Sequence, residues 1–319
     1  VGTMSTPRPR SVKVKAPGKV NVSLRVGPAR PDGYHSVASV YLAVSLFEEV
    51  TATSTPEPGV TVSLSPDSTL DLDELDIPLD ERNLAVRAAR LMAEVTERPT
   101  GVHLEITKRV PVAGGMGGGS ADAAAALLAC DALWDSGLSK EELAHLAAEL
   151  GADVPFALLG GAAVGLGVGD QLSPALATTR LDWVLVPAEY GLSTPRVFAE
   201  LDRLRAAEGF DAPEPTDVEP GILTALRSGD AGGLRHLLVN DLQRAAVELA
   251  PQLRDTLGWA DSHGALASIV SGSGPTVALL AVDAAAAQDL VDSFARQGVE
   301  ALAVHGPVAG ARIVSDTVL

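Results

Sequence analysis

Residues 111–122 read Pro-Val-Ala-Gly-Gly-Met-Gly-Gly-Gly-Ser-Ala-Asp, with five glycines in positions 114–119. No other segment restricts the fold as much. Before it, Val102 to Val110 alternates apolar and polar residues (Val102, Leu104, Ile106), the pattern of a strand. After it, the alanine-rich stretch Ala121 to Trp134 predicts a helix. A glycine run at such a junction lets the backbone approach a ligand closely and line up successive amides. A helix N-terminus adds free N–H groups and positive potential, and together these suit a phosphate. Neither common phosphate-loop template fits. The P-loop needs Lys after its last glycine, where Ser120-Ala121 stands, and G-x-G-x-x-G begun at Gly115 needs glycine at Ser120. The plainer alternative is a flexible linker with Ser120 as helix cap, which fits poorly between a strand and a helix.

The rest of the chain supplies elements of both kinds. Ser11 to Val26 alternates at period two and is interrupted at Pro17-Gly18, which predicts a strand with a bulge. Further strands are expected at Ala38 to Thr53, Val60 to Leu64, Gly161 to Leu166, Trp183 to Pro187, Ala267 to Val270, Val277 to Val282 and Ala311 to Val314. Helical spacing marks Asn83 to Glu97, Ser139 to Leu150, Pro195 to Ala207 and Asp283 to Gln297, with several short helices across Leu223 to Leu257. Ser139 and Glu142 form a capping-box pattern. Pro66 to Glu81 holds seven acids and no base, and reads as a solvated loop, as does Asp211 to Pro220. Strands and helices mix without strict β-α-β alternation, so the expected class is α+β. At 319 residues two domains are expected, with a boundary near 175–182. Val1 to Met4 is set aside from the fold.

Charge narrows the function. The net charge is −17, which opposes a general nucleic-acid binder. One cysteine, Cys130, excludes an intramolecular disulfide framework and any multi-cysteine metal site. The N-terminus has no signal-peptide layout, and the longest uncharged stretch is broken by Ser271 to Pro275. A soluble, cytoplasmic chain without membrane contact is therefore expected. The charge is uneven: seven basic residues precede the first acid, Asp32, and three of the five lysines fall between Lys13 and Lys19. That asymmetry predicts a locally positive cleft in a negative surface.

Other candidate segments carry two readings each. Lys19 and Asn21 share one strand face, as site residues or as ordinary solvated ones. Asp153 in Gly151-Ala-Asp-Val-Pro155 is either a fixed carboxylate that accepts a substrate proton or the cap of a helix beginning near Pro155. The turn at Pro31-Asp32-Gly33 presents Tyr34 and His35, or only anchors a hairpin. Ser271-Gly-Ser-Gly-Pro-Thr276 joins two strands as a glycine turn.

Taken in order, Pro17-Gly-Lys-Val-Asn21, Pro111 to Asp122 and Ser271 to Thr276 resemble the three motifs of the GHMP kinases. Asp32-Gly-Tyr-His35, Glu81-Arg-Asn-Leu84 and Gly151 to Pro155 narrow the resemblance to members acting on a diphosphocytidyl methylerythritol. Gly18 and Val20 stand where related sequences often carry Ala and Leu, and the loop at 211–220 has no clear counterpart. The resemblance implies an α+β, two-domain GHMP kinase fold. A ribosomal-protein-S5-like N-terminal domain would span 1–178 and a ferredoxin-like C-terminal domain 179–319, with the site between them. It implies ATP-dependent phosphorylation of the substrate's 2-hydroxyl in the methylerythritol phosphate route to isoprenoid precursors, with Mg²⁺ on the phosphates. By the same resemblance Lys19 and Asp153 are catalytic. Asn83, Lys108, Pro111, Gly114, Gly115, Gly117, Gly118, Gly119 and Ser120 contact ATP. Asn21, Tyr34, His35 and Phe198 bind the substrate. No carboxylate cluster marks a dedicated metal site. A monomer or weak homodimer is expected, with ATP and the small-molecule substrate as its only partners. The alternatives are a homoserine- or mevalonate-type kinase of the same superfamily, a non-catalytic nucleotide binder on the same scaffold, and an RNA-binding module using the basic N-terminal segment.

Overall fold

The computed structural model describes residues 8–96 and 101–319; Val1 to Met4, and Glu97 at the end of the first expected helix, lie outside them. The N-terminal elements are β1 (Arg10–Ala29), β2 (His35–Thr55), β3 (Val60–Leu64), α1 (Leu84–Thr96), β4 (Gly101–Thr107), α2 (Gly118–Leu133), α3 (Lys140–Leu150), α4 (Val154–Leu159), β5 (Ala162–Leu166) and β6 (Gln171–Ala175). After them come β7 (Leu181–Val186), α5 (Thr194–Glu208), α6 (Pro220–Ser228), α7 (Ala231–Leu234), β8 (Val239–Asn240), α8 (Gln243–Leu249), α9 (Leu253–His263), β9 (Ala267–Val270), β10 (Val277–Ala281), α10 (Ala284–Ala295), β11 (Leu302–Gly306) and β12 (Arg312–Val318).

The strands form two sheets. The larger runs β12-β1-β2-β4-β3, with β5 and β6 continuing from β2 and β8 beside β1. The smaller is ordered β11-β7-β10-β9, all antiparallel. Counting its strands along the chain gives the 4-1-3-2 order of a ferredoxin-like unit, as expected. The class is α+β. One boundary needs correction. A division at 178/179 falls between β6 and β7, but β12 pairs with β1 from Arg10↔Val318 to Lys15↔Arg312, so the last strand belongs to the first sheet. Local alternation gave the strand but not its partner, because pairing is a long-range choice. β8, inside the stretch read as short helices, escaped the sequence reading, as did β11 and β6. All are short, and β6 carries Pro174 and pairs only with β5, the edge position proline tolerates.

Two local features position the site. The β1–β2 register shifts between Pro17 and Lys19, the bulge expected at Pro17-Gly18. The backbone packs closely there: a Cβ on Gly18 would stand 3.2 Å from Val110 and 3.4 Å from the Met116 carbonyl oxygen, so an alanine fits once Val110 gives by a few tenths of an ångström. The second feature is α2. Ala121, Ala123, Ala124, Ala125 and Ala126 are all fully buried in the core shared with β1 and α1. Its apolar composition on every face fits burial on every face. The helix begins at Gly118, three residues before the alanine run, so its N-terminal amides belong to the glycine segment itself. Gly118 packs against Val110 and Glu48, and this tertiary contact overrides glycine's weak helix propensity.

Candidate active site

A cleft of about 560 Å³ opens where the glycine segment meets the β9–β10 turn. Gly117 caps α2 in the left-handed conformation (φ 72°), and the first amides of the helix have no partner within it. The cap is Gly117 rather than Ser120, which lies inside the first turn. Gly115 is also left-handed, and a Cβ on it would overlap the Ser271 carbonyl oxygen. The loop is pinned there: the Ser271 hydroxyl donates to the Gly115 carbonyl at 3.0 Å, and the Thr276 amide donates to the Gly114 carbonyl at 3.2 Å. The Asn240 amide holds that turn through the carbonyls of Val270 and Gly272. The second and third motifs therefore form one bonded unit.

Lys19 reaches into this unit from the bulge. Only 7% exposed, it is not a solvated strand lysine. Its ammonium donates to Asn21 Oδ1 at 2.6 Å and to the Gly115 carbonyl at 2.8 Å, and lies 3.8 Å from Asp153 Oδ2. Asn21 in turn donates to Ser39 Oγ at 2.8 Å. Burial lowers the Lys19 pKa below 10.5, and Asp153 works against that shift. Asp153 occupies the N-cap position of α4, yet its side chain makes no cap bond. The carboxylate is left to Lys19 and the cleft, which removes the main support for the cap reading.

Tyr41, which the sequence reading missed, lines the same wall. Burial and then the Asp153 charge raise its phenol well above the usual value. Nothing in its spacing singled it out. Gly165 and Gly169 make room for its ring and hydroxyl.

Lys108, expected to contact ATP, has its charge engaged by two neighbouring acids. It borders the cleft, but its ammonium is bound at 2.7 Å to both Glu48 and Asp122. Burial opposes that charge, yet the two carboxylates overcome it and raise the Lys108 pKa. Burial pushes Glu48 up to about 8, and Asp122 is raised for the same reason. Glu48 also accepts the amides of Arg109 and Val110, so it anchors the entry to the glycine loop. Asn83 borders the cleft and caps α1 with its own side chain: Oδ1 accepts from the Ala85 amide at 2.9 Å.

The positive-cleft expectation also needs correction. Of the basic residues on β1, only Lys19 lines the cleft. Lys13 faces Glu49, Lys15 lies over the Phe47 ring, and Arg10 bridges Asp135 and Asp316. Arg25 pairs with Asp241. These residues tie β1 to its neighbours, which accounts for the acid-free N-terminal segment. Asp76, Asp122 and Asp153 border the cleft as well.

The expected base-binding residues divide. Phe198 lines the main cleft and packs against His35 with ring centroids 4.9 Å apart and planes tilted by 35°. Tyr34 stands outside it, 64% exposed, in a neighbouring recess of about 370 Å³ that shares Val168 with the cleft. Pro111 and Gly114, Gly115, Gly117, Gly118, Gly119 and Ser120 all border the main cleft.

Known proteins place this arrangement. The model for the GHMP kinases N terminal domain matches residues 83–161, and that for GHMP kinases C terminal matches 222–300. The chain is 76% identical to the 4-diphosphocytidyl-2-C-methyl-D-erythritol kinase of Pseudarthrobacter chlorophenolicus, over 97% of both chains. It is 73% identical to the corresponding kinase of Paenarthrobacter aurescens, over 97% of this chain and 98% of that one. A crystal structure of a 4-(cytidine 5'-diphospho)-2C-methyl-D-erythritol kinase superposes with a TM-score of 0.73 at 32% identity, covering 92% of this chain and 98% of the other. A homoserine kinase from Cytophaga hutchinsonii shares the fold (TM-score 0.71) at 19% identity, covering 98% of this chain and 100% of that one. The chain is a GHMP kinase and belongs, within that superfamily, to the family of the 4-diphosphocytidyl-2-C-methyl-D-erythritol kinases.

Proposed function

We infer that the protein transfers the terminal phosphoryl group of ATP to the 2-hydroxyl of 4-diphosphocytidyl-2-C-methyl-D-erythritol. The observation that carries the chemistry is the Lys19–Asp153 pair, 3.8 Å apart beside left-handed Gly117 at the mouth of the glycine loop. In this reading Asp153 accepts the hydroxyl proton as the new O–P bond forms. The bond from the terminal phosphorus to the bridging oxygen breaks, and ADP leaves with that electron pair. Lys19 carries the positive charge against the transferring group. The amides of Gly117 to Ser120 hold the phosphates, as a preorganised helix N-terminus does.

Asn21, held by Ser39, orients the methylerythritol portion. Tyr34, His35 and Phe198 take the cytosine, and Asn83 and Pro111 border the nucleoside of ATP. Mg²⁺ suits this site as an ion carried on the nucleotide. Among the described residues no three His, Cys, Asp or Glu side chains could hold a metal, so an ion there would be held mainly by phosphate oxygens and water, with the Ser120 hydroxyl in reach as a protein donor. Bound there, it neutralises phosphate charge. Among the described residues no helix is long and apolar enough to cross a membrane. With both substrates water-soluble, we place the activity in the cytoplasm, in a monomer or weak homodimer.

A substrate-panel assay of ADP release tests this reading. Turnover is expected with the diphosphocytidyl polyol and not with homoserine or mevalonate; the opposite pattern refutes it. A pH profile tests the role of Lys19. Because burial lowers its pKa in the ligand-free protein, the ammonium is lost at lower pH than from an ordinary lysine at 10.5, so kcat/KM falls early on the alkaline side. Lys19→Arg keeps its charge there, so its residual activity should lack that limb. An unchanged alkaline limb in Lys19→Arg would show that another group titrates.

A further inference from the structure

We propose that Asp202 sets the base specificity of the site by fixing His35, so that cytosine is accepted and uracil rejected. The proposal rests on the reading of His35 as a base-contacting residue and goes one step beyond it.

His35 opens β2 and is only 8% exposed. Its Nε2 meets both oxygens of Asp202, at 2.9 and 3.1 Å. Asp202 lies on α5 four residues after Phe198, so the two share one helix face. Phe198 packs against the imidazole at a 35° tilt while Asp202 holds its Nε2, and the two contacts together restrict the rotation of the ring.

A carboxylate can only accept hydrogen bonds, so Nε2 must carry a proton. In the neutral form of the ring Nδ1 is then bare and an acceptor. Among the described residues no group bonds to Nδ1. A ligand edge placed there must donate. Cytosine offers its exocyclic amino group at position 4, whereas uracil offers a carbonyl and sets lone pair against lone pair. Asp202 is therefore a positioning residue acting through His35. Its carboxylate is 39% exposed, so replacing it leaves the core intact.

The test compares kcat/KM for the diphosphocytidyl substrate and its diphosphouridyl analogue in four proteins: wild type, Asp202→Asn, Asp202→Ala and His35→Ala. Wild type should prefer the cytidyl form by about a hundredfold or more. The side-chain amide introduced by Asp202→Asn can donate to Nε2 or accept from it, which opens both tautomers. Both Asp202 variants should lose at least about tenfold of that preference, with KM for ATP unchanged. A merely structural role would move both substrates alike. If His35→Ala raises KM for the cytidyl substrate but the preference survives in both Asp202 variants, the proposal is wrong and the base-contact reading stands. If His35→Ala leaves that KM unchanged, both are wrong.

Discussion

Asp153→Asn is expected to lower kcat by about 10²- to 10⁴-fold while ATP binding and thermal stability stay near wild type. The amide keeps the shape of the carboxylate but cannot accept the substrate proton. Asp153 stands at the head of α4 without capping it, so the substitution removes no helix-end bond. It does remove the charge facing Lys19 at 3.8 Å. A helix-cap role makes a different prediction: turnover close to normal in Asp153→Asn, since Asn caps about as well as Asp, and a stability loss of about 1 kcal/mol only in Asp153→Ala. Steady-state kinetics, ATP titration and a melting curve on the same preparation separate the two.

Lys108→Met should damage stability rather than ATP binding. The substitution leaves Glu48 and Asp122 buried beside each other without their shared cation, a change that typically costs about 3–5 kcal/mol. The wild-type cluster should already show itself in the pH dependence of folding. Glu48 has its carboxyl pushed up to about 8 from an ordinary 4.5, so between those values the folded chain binds the proton more tightly than the unfolded one. Stability contributed by that proton is complete below pH 4.5 and is lost as pH rises through 8. Glu48→Gln should flatten this part of the profile. Denaturant titrations across that range read both effects. A Lys108→Met protein with unchanged stability and a raised KM for ATP would return Lys108 to the nucleotide.

Much of this was legible before the structure, and the gaps have physical causes. The glycine run, its flanking strand and helix, the bulge at Pro17-Gly18 and the capping box at Ser139 are local signals, read from spacing and residue type. The capping box is present in full: Ser139 accepts the Glu142 amide and Glu142 accepts the Ser139 amide. The pairing of β12 with β1 and the Glu48–Lys108–Asp122 cluster join residues far apart in sequence, and no spacing rule reaches them. Asp202 could have been noticed, since it stands one helical turn beyond Phe198, but its partner His35 lies in another part of the chain. Lys108 shows why a motif position does not decide a role: neighbouring acids settle where its charge is spent, and Glu48 lies in a strand with no motif of its own.

The central claim is phosphorylation of one particular hydroxyl, and ³¹P NMR of the product reads it directly. Carbon 2 of the methylerythritol unit carries the methyl group and no hydrogen. A phosphate on its oxygen therefore gives a monoester resonance unsplit by a proton on the attached carbon, growing in step with ADP. A monoester signal split by carbinol protons, or ADP release with no new monoester, would contradict the account.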